Sequence, residues 1–174
     1  MLTILCFYLI INSGIPRLRV NMKVCFIGHR HIRIDNNLIS LVKDTITTLI
    51  KNGATTFLFG SKSEFDTLCY QIVTELKTEY PNINRIYVRS AFQDINQSYE
   101  EYLLKLYEYT YFPPHLENAG KSSYIKRNFE MITHCKYCVF YYNKHYQPAK
   151  RKSGTKIAYE YAVKNNKEII NLYR

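Results

Sequence analysis

Short apolar runs alternate with longer amphipathic stretches along most of this chain. The runs that we predict as strands are residues 23–27, 55–59, 85–89, 137–142 and 168–173. Short runs of this kind, two of them followed by Gly, are typical of strands buried in a parallel sheet. Because stretches with helical spacing lie between them, the pattern predicts a three-layer α/β domain with a mostly parallel central sheet.

The first two helices are bounded by capping residues and by Pro. Asp35 or Asn36 can cap a helix that runs to about residue 52, where Gly53 provides a stop. A second helix begins in the polar segment after Gly60 and runs to about residue 80, and Pro81 ends it.

The middle of the chain is less regular. Ser98 can cap a helix that runs to about residue 107, and an aromatic, Pro-rich loop is predicted over 111–120. This loop either packs on the sheet edge, which we favour, or forms a wall over a pocket. A further helix begins near Ser122.

Residues 1–21 differ in composition from the rest of the chain. Their apolar stretch is too short to span a membrane, and no positive segment precedes it as in a secretory signal. We therefore expect Met22 to be the natural start, residues 1–21 to be an extension, and residues 22–174 to be one domain.

The charge balance favours an anionic partner. The chain has 24 Lys and Arg against 14 Asp and Glu, a formal charge of +10, together with 17 Tyr. Nucleotides, nucleic acids and acidic surfaces all fit this balance, and so does an ordinary soluble surface.

Five Cys occur without the spacing of a disulfide framework, which favours reduced thiols and a cytoplasmic location. Cys135 and Cys138 form a lone CxxC pair. A structural zinc site needs two further ligands at matching spacing, so we expect no metal here.

The candidate ligand-binding residues follow the predicted strands. Gly28 and Arg30 come after the first strand, and Gly60, Ser61 and Asp66 after the second. Ligands of open parallel sheets bind outside the carboxyl ends of the strands. Arg30 could reach an anion there, and Asp66 could either accept a ribose hydroxyl or stabilise its helix start.

The last third of the chain adds cations and a second helix start. Arg127 and Asn128 lie on a predicted helix, and Ser153, Gly154 and Thr155 open another. Main-chain N–H groups at a helix start favour phosphate. Together these residues predict a site for the phosphate of a nucleotide.

Four segments carry a resemblance to a known family: FIGHR, LFGSKSEFD, YIKRNFEMI and SGTKIAYEYA. They resemble the YpsA-like branch of the SLOG superfamily over about residues 22–173. The superfamily includes the Lonely Guy phosphoribohydrolases and the DNA processing protein A family. The resemblance implies a Rossmann-like domain that binds nucleotides or nucleotide-derived ligands and that often dimerises. We expect no separate cofactor.

Two positions depart from the superfamily patterns. Lonely Guy enzymes carry a Glu three residues after the Thr of the last motif, where this chain has Ala158, and Glu160 points in a different direction on a helix. Relatives often have Asp where this chain has Cys135.

Three functions remain open. The first is binding of a nucleotide or nucleotide-derived ligand as a sensor or regulatory module, with phosphate held by Arg30, Arg127 and residues 153–155. The second is hydrolysis of a nucleotide N-glycoside, which needs a carboxylate at the glycosidic bond. The third is single-stranded DNA binding through cations and stacking tyrosines. We favour binding over hydrolysis. The carboxylates available for hydrolysis are Glu64, Asp66, Glu130 and Glu160, and the DNA-binding candidates are Tyr141, Tyr142, Lys144, Tyr146, Lys150, Arg151, Lys152 and Lys156.

Overall fold

A computed structural model of the protein describes residues 21–60, 62–90, 96–146 and 153–174. Most of the predicted N-terminal extension lies outside the described residues, and so do Ser61 and the basic positions Lys150, Arg151 and Lys152.

Six strands form one sheet in which every neighbouring pair is parallel. The strands are β1 (Met22–Gly28), β2 (Ala54–Phe59), β3 (Asn84–Val88), β4 (Tyr109–Tyr111), β5 (Tyr137–Tyr141) and β6 (Glu168–Asn171). They lie in the order β4-β3-β2-β1-β5-β6. The chain builds outward from β1 to β4 and then continues on the other side of β1, so the topological switch point lies between β1 and β5.

Helices cover both faces of the sheet. They are α1 (Asn36–Lys51), α2 (Glu64–Leu76), α3 (Gln97–Leu104), α4 (Ser123–His134) and α5 (Gly154–Lys164). Val24 and Phe26 of β1 pack in the same cluster as buried residues of α1, α2 and α3, while Cys25 and Ile27 pack with α4 and α5. Successive side chains of a strand point to opposite faces, and this alternation gives the predicted three-layer α/β sandwich.

Two predicted helix boundaries are wrong. Helix α2 begins at Glu64, with Ser63 as its N-cap, and ends at Leu76 rather than near residue 80. Lys77 Nζ donates hydrogen bonds to the carbonyls of Pro81 and Ile83, which holds the segment after Leu76 in turns. For α3 the N-cap is Asn96 rather than Ser98, because the Asn96 side chain accepts from the Tyr99 N–H at 2.7 Å. Asp35 caps α1 as predicted.

Strand β4 was not predicted. It has only three residues, Tyr109–Tyr111, and begins just before the segment expected to be a loop. Glu108 accepts two side-chain hydrogen bonds and one main-chain hydrogen bond from Arg85 of β3, which places β4 beside β3. Past β4, Leu116 is buried, in keeping with packing of the Pro-rich segment.

Cys25, Cys69, Cys135 and Cys138 are free and buried. Burial raises the pKa of Cys25 and of Cys69 well above the usual thiol value. Protonated thiols are poor metal ligands. In the part of the chain that the structure describes, no group of three or more His, Cys, Asp or Glu side chains could hold a metal ion.

Candidate functional site

A cleft of about 520 Å³ opens at the carboxyl ends of β1 and β5, at the topological switch point. The residues that line it are Ile27, Gly28, His29, Arg30, Lys62, Ser63, Lys121, Tyr124, Ile125, Arg127, Asn128, Tyr146, Ser153, Gly154 and Thr155. Seven of the residues predicted from the sequence are therefore brought together: Gly28, Arg30, Arg127, Asn128, Ser153, Gly154 and Thr155.

The end of β1 holds the starts of two helices at the cleft. A Cβ atom on Gly28 would lie 2.6 Å from Phe65 Cβ, so only Gly lets the first turn of α2 pack this closely. The Glu64 N–H donates to the Arg30 carbonyl at 2.9 Å, and the Thr155 hydroxyl donates to the Gly28 carbonyl at 3.0 Å. The N-termini of α2 and α5 are thus fixed against the same strand end.

The N-terminus of α5 is open toward the cleft. Ser153 is the N-cap residue, but its side chain makes no capping hydrogen bond. Among the described residues, no group accepts from the main-chain N–H of Gly154 or Thr155. A Cβ atom on Gly154 would have no neighbour within 4 Å among the residues that the structure describes. Because such N–H groups carry partial positive charge, this end of α5 can accept an anion.

Arg127 lies at the base of the cleft and is only 2% exposed. Its Nη1 donates to the Gly60 carbonyl, and its Nε donates to the Asn128 side chain at 3.0 Å. A Cβ atom on Gly60 would lie 2.8 Å from Nη1 and 2.6 Å from the Val88 carbonyl oxygen. Gly60 is therefore beneath the cleft, where it makes room for Arg127, and is not one of the lining residues.

Three further cations face the same space. Arg30, Lys62 and Lys121 are exposed lining residues, and none of them forms an ion pair with any described residue. In the part of the chain that the structure describes, no Asp or Glu belongs to the lining. Since no carboxylate offsets these charges within the described part of the cleft, the site is electropositive.

The candidate carboxylates lie elsewhere. Asp66 is 3% exposed and is close enough to Tyr87 and Tyr107 to raise the pKa of each, although burial is the larger cause. Glu64 accepts hydrogen bonds from the Ile32 N–H and the His31 ring. Glu130 of α4 pairs with His115, which precedes this helix, and with His134 of the same helix. Glu160 pairs with Lys156 on α5.

His29 and Tyr146 also line the cleft. The sequence prediction did not include His29, and it named Tyr146 only as a candidate for single-stranded DNA binding. His29 is 6% exposed, its Nε2 accepts from the Asn143 N–H at 3.0 Å, and burial lowers its pKa. The ring centroids of His29 and Tyr146 are 4.5 Å apart. His29 stands between Gly28 and Arg30, which were both predicted, so the motif could have suggested it.

Lys62, Ser63, Lys121 and Tyr124 were also missed as site residues. Lys62 and Ser63 follow Gly60 in the polar segment that leads into α2. Since Gly60 was predicted as a site residue, this segment could have indicated them as well. Tyr124 lies three residues before Arg127, which places both on one face of a helix, and its ring is 5.9 Å from the Arg127 guanidinium carbon. Lys121 carries no such signal.

The basic loop proposed for DNA binding is described only in part. Lys144 is exposed, and Tyr146 is a half-exposed lining residue. Tyr141 packs against Phe65 and Tyr173, and Tyr142 is buried against Tyr159. Within the described ranges, no helix is both long enough and apolar enough to cross a membrane.

Comparison with known proteins identifies the family. The model of the YspA SLOG family (YpsA) matches residues 22–173. No curated protein matches the sequence. A solved structure reported for the single-stranded DNA binding mode of DNA processing protein A from Helicobacter pylori is similar, with a TM-score of 0.55 and 18% identity. The similarity covers 86% of this chain but only 64% of that protein, and at this identity it shows the fold alone. Because the family model spans nearly the whole of the chain, this protein belongs to the YpsA family of the SLOG superfamily.

Proposed function

We propose that this protein binds a phosphate-bearing, nucleotide-derived ligand in the cleft at the β1/β5 switch point. The observation that carries the proposal is the composition of the cleft wall. Arg30, Lys62, Lys121 and Arg127 line it, and no acidic side chain of the described residues does so. A ligand with a negative charge is the partner that this wall would stabilise.

Main-chain groups support phosphate rather than a carboxylate ligand. The cleft receives the open N-terminus of α5 and lies beside the first turn of α2. Each helix start contributes about half a positive charge. Two such ends together with several cations suit a group that carries more than one charge and has oxygens in several directions, as phosphate does.

The arrangement supports binding over N-glycoside hydrolysis. A hydrolase of Lonely Guy type needs a carboxylate that reaches the glycosidic bond. None of the four candidate carboxylates, Glu64, Asp66, Glu130 and Glu160, is a lining residue. The role of Asp66 as a ribose acceptor is likewise not supported by the lining.

Single-stranded DNA is the second candidate ligand. The half-exposed rings of Tyr124 and Tyr146 beside the cations of the cleft favour it, because single-strand binding proteins combine stacking groups with a basic groove. The similar DNA processing protein A is described as binding single-stranded DNA. A steep decrease of affinity with salt concentration would support this candidate.

A thermal-shift screen against NAD, ADP-ribose, AMP and cyclic nucleotides tests the proposed function. A ligand that binds only the folded state at a hundred times its dissociation constant stabilises the protein by about 2.7 kcal/mol. Calorimetric titration with the most stabilising compound then compares wild type with Arg30→Ala and Lys62→Ala. We expect each variant to bind about tenfold more weakly, since hydrogen bonds to charged groups contribute about 1.5–3 kcal/mol.

Lys43→Ala is the matched control. Lys43 is an exposed lysine of α1 and does not line the cleft. If it weakened binding as much as Lys62→Ala, only the overall charge of the protein would matter. Unchanged affinity in both cleft variants would contradict the proposed site.

A further inference from the structure

The cleft wall contains aromatic rings as well as cations. Tyr124 and Tyr146 are lining residues whose side chains are 49% and 50% exposed, although most large apolar side chains of the described chain are buried. A phosphate alone gains nothing from such rings. Their presence beside the cations indicates a ligand with a flat apolar part.

Tyr146 is held in place by contacts with His29 and Asn143. Its ring lies against the His29 ring, with centroids 4.5 Å apart, and its main-chain N–H donates to the Asn143 carbonyl at 3.1 Å. The Asn143 N–H in turn donates to His29 Nε2, and the His29 N–H donates to the Tyr141 carbonyl. The ring is therefore positioned by the end of β1 and the end of β5, and little conformational entropy remains to be lost when a second ring stacks on it.

Tyr146 and the open start of α5 belong to the same connection between β5 and α5. Both line the cleft, with Tyr146 at the start of the connection and Ser153, Gly154 and Thr155 at its end. A nucleotide has a ring at one end and a phosphate at the other. Tyr124 is less suited to a second ring, because its own ring already faces the Arg127 guanidinium.

From this geometry we propose that Tyr146, seated on His29, is the surface on which the nucleobase of the ligand stacks. The inference deepens the proposed function and rests on it. It makes the cleft selective for ligands that carry an aromatic ring as well as a phosphate. Every nucleobase has a π-face, so the stack tolerates different bases.

Calorimetric titration with matched compounds tests the stack. AMP, GMP, CMP and UMP carry a base, and ribose 5-phosphate is the same scaffold without one. Wild type should bind the four nucleotides more tightly than ribose 5-phosphate. In Tyr146→Ala this preference should decrease by about five- to a hundredfold, the range expected from the loss of one base–aromatic stack. Tyr146→Phe keeps the ring and should keep the preference.

The controls separate this inference from the proposed function. Tyr109→Ala removes an exposed tyrosine from β4, an edge strand that β2 and β3 separate from β1, and should change nothing. If wild type binds ribose 5-phosphate as tightly as AMP, and Lys62→Ala weakens both, the cleft binds phosphate but the stack is refuted. Failure of all five compounds to bind would instead reject the proposed function together with the stack. Loss of the preference in Tyr124→Ala alone would assign the stack to Tyr124 and contradict the inference.

Titration with an oligothymidylate shows whether the stacked base belongs to a DNA single strand or to a free nucleotide. Affinity that increases with strand length and decreases in Tyr146→Ala would place a base of a single strand on Tyr146. Binding of mononucleotides alone, again dependent on Tyr146, would make the ligand a free nucleotide. Binding of either kind that is unchanged by Tyr146→Ala would overturn the inference.

Discussion

At the scale of single residues, Arg127 combines a place in the candidate site with a place in the core. The sequence indicated a cation on a helix near the strand ends. It could not show that the Arg127 side chain donates to the Gly60 carbonyl, 67 residues away in sequence. The pairing depends on how α4 packs across the end of β2, which no local pattern encodes. The interpretation of Arg127 as only a phosphate ligand is therefore incomplete.

Replacing Arg127 should affect both binding and folding. Arg127→Ala removes the buried donor whose hydrogen bond the Gly60 carbonyl accepts. We therefore expect the free energy of unfolding to decrease by about 2 kcal/mol. Nucleotide affinity should decrease about tenfold or more. Urea unfolding and calorimetric titration measure the two effects. Arg127→Lys should recover part of the binding, because it keeps the charge but not the planar fork. Unchanged stability in Arg127→Ala would show that the hydrogen bond to Gly60 contributes little.

Two glycines at the site should respond in opposite ways to a methyl group. Gly60→Ala would place a Cβ 2.6 Å from the Val88 carbonyl, and we expect a loss of about 1–3 kcal/mol from overpacking. The added Cβ of Gly154→Ala meets no atom of the described residues within 4 Å, and Ala is a better helix former than Gly at the start of α5. The melting temperature of this variant should therefore be equal to that of wild type or higher. Equal losses in both variants would contradict the close packing around Gly60.

At the scale of secondary-structure elements, the strands with clear apolar runs were predictable and β4 was not. Residues 24–27 form a continuous apolar run that is buried on both faces of the sheet, and such runs identify central strands. Strand β4 has only three residues, all Tyr or Thr, so it has no period to detect. Its position depends on Glu108, whose role becomes visible only when Arg85 is placed beside it.

The pairing of Arg85 with Glu108 should make this edge of the sheet sensitive to acid. Burial raises the pKa of Glu108, but the hydrogen bonds and charge of Arg85 outweigh it, and the net pKa lies below the usual 4.5. A carboxyl group whose pKa is lowered by folding stabilises the folded state at pH values above its pKa in the unfolded chain. This contribution is lost as the pH falls through the pKa of the folded state. Glu108→Gln should therefore cost about 1–3 kcal/mol at pH 7 and progressively less below pH 4.5.

Urea unfolding at pH 7 and at pH 3 measures this difference. Glu117→Gln is the control, because Glu117 is exposed and forms no ion pair with the described residues. A Glu108→Gln deficit that stayed constant between the two pH values would show that the carboxylate charge is not what stabilises β4.

At the scale of the whole molecule, the fold class was predictable and the strand order was not. Alternating strands and helices predict a parallel sheet, and the resemblance to the SLOG superfamily adds the Rossmann-like topology. No local sequence pattern indicates that β5 lies next to β1. That neighbour relation brings Gly28 to Tyr141 in register and creates the switch point. The site was therefore predictable as a set of strand-end residues. The presence of Tyr124 and Tyr146 beside these residues, and the exclusion of Asp66, were not predictable.

The N-terminal extension is predicted to be dispensable for folding. The family match begins at residue 22, and so does β1. A chain that starts at Met22 should unfold cooperatively. It lacks Asn21, whose side chain accepts hydrogen bonds from Thr55 and Thr56 at 3.0 and 2.7 Å, so we expect a loss of about 1–2 kcal/mol.

Thermal unfolding of chains that begin at Met22 and at Asn21 checks this expectation. The chain that keeps Asn21 should match the full-length protein. Loss of the cooperative transition in both shortened chains would mean that part of residues 1–20 belongs to the core.

The central claim is that the phosphate of a nucleotide-derived ligand binds at the β1/β5 switch point. A crystal structure of the protein with the nucleotide that stabilises it most would test this claim most directly. The account predicts phosphate oxygens within hydrogen-bonding distance of the Arg30 or Lys62 side chain and of the Gly154 or Thr155 main-chain N–H. A nucleotide bound elsewhere on the protein, with the cleft empty, would contradict it.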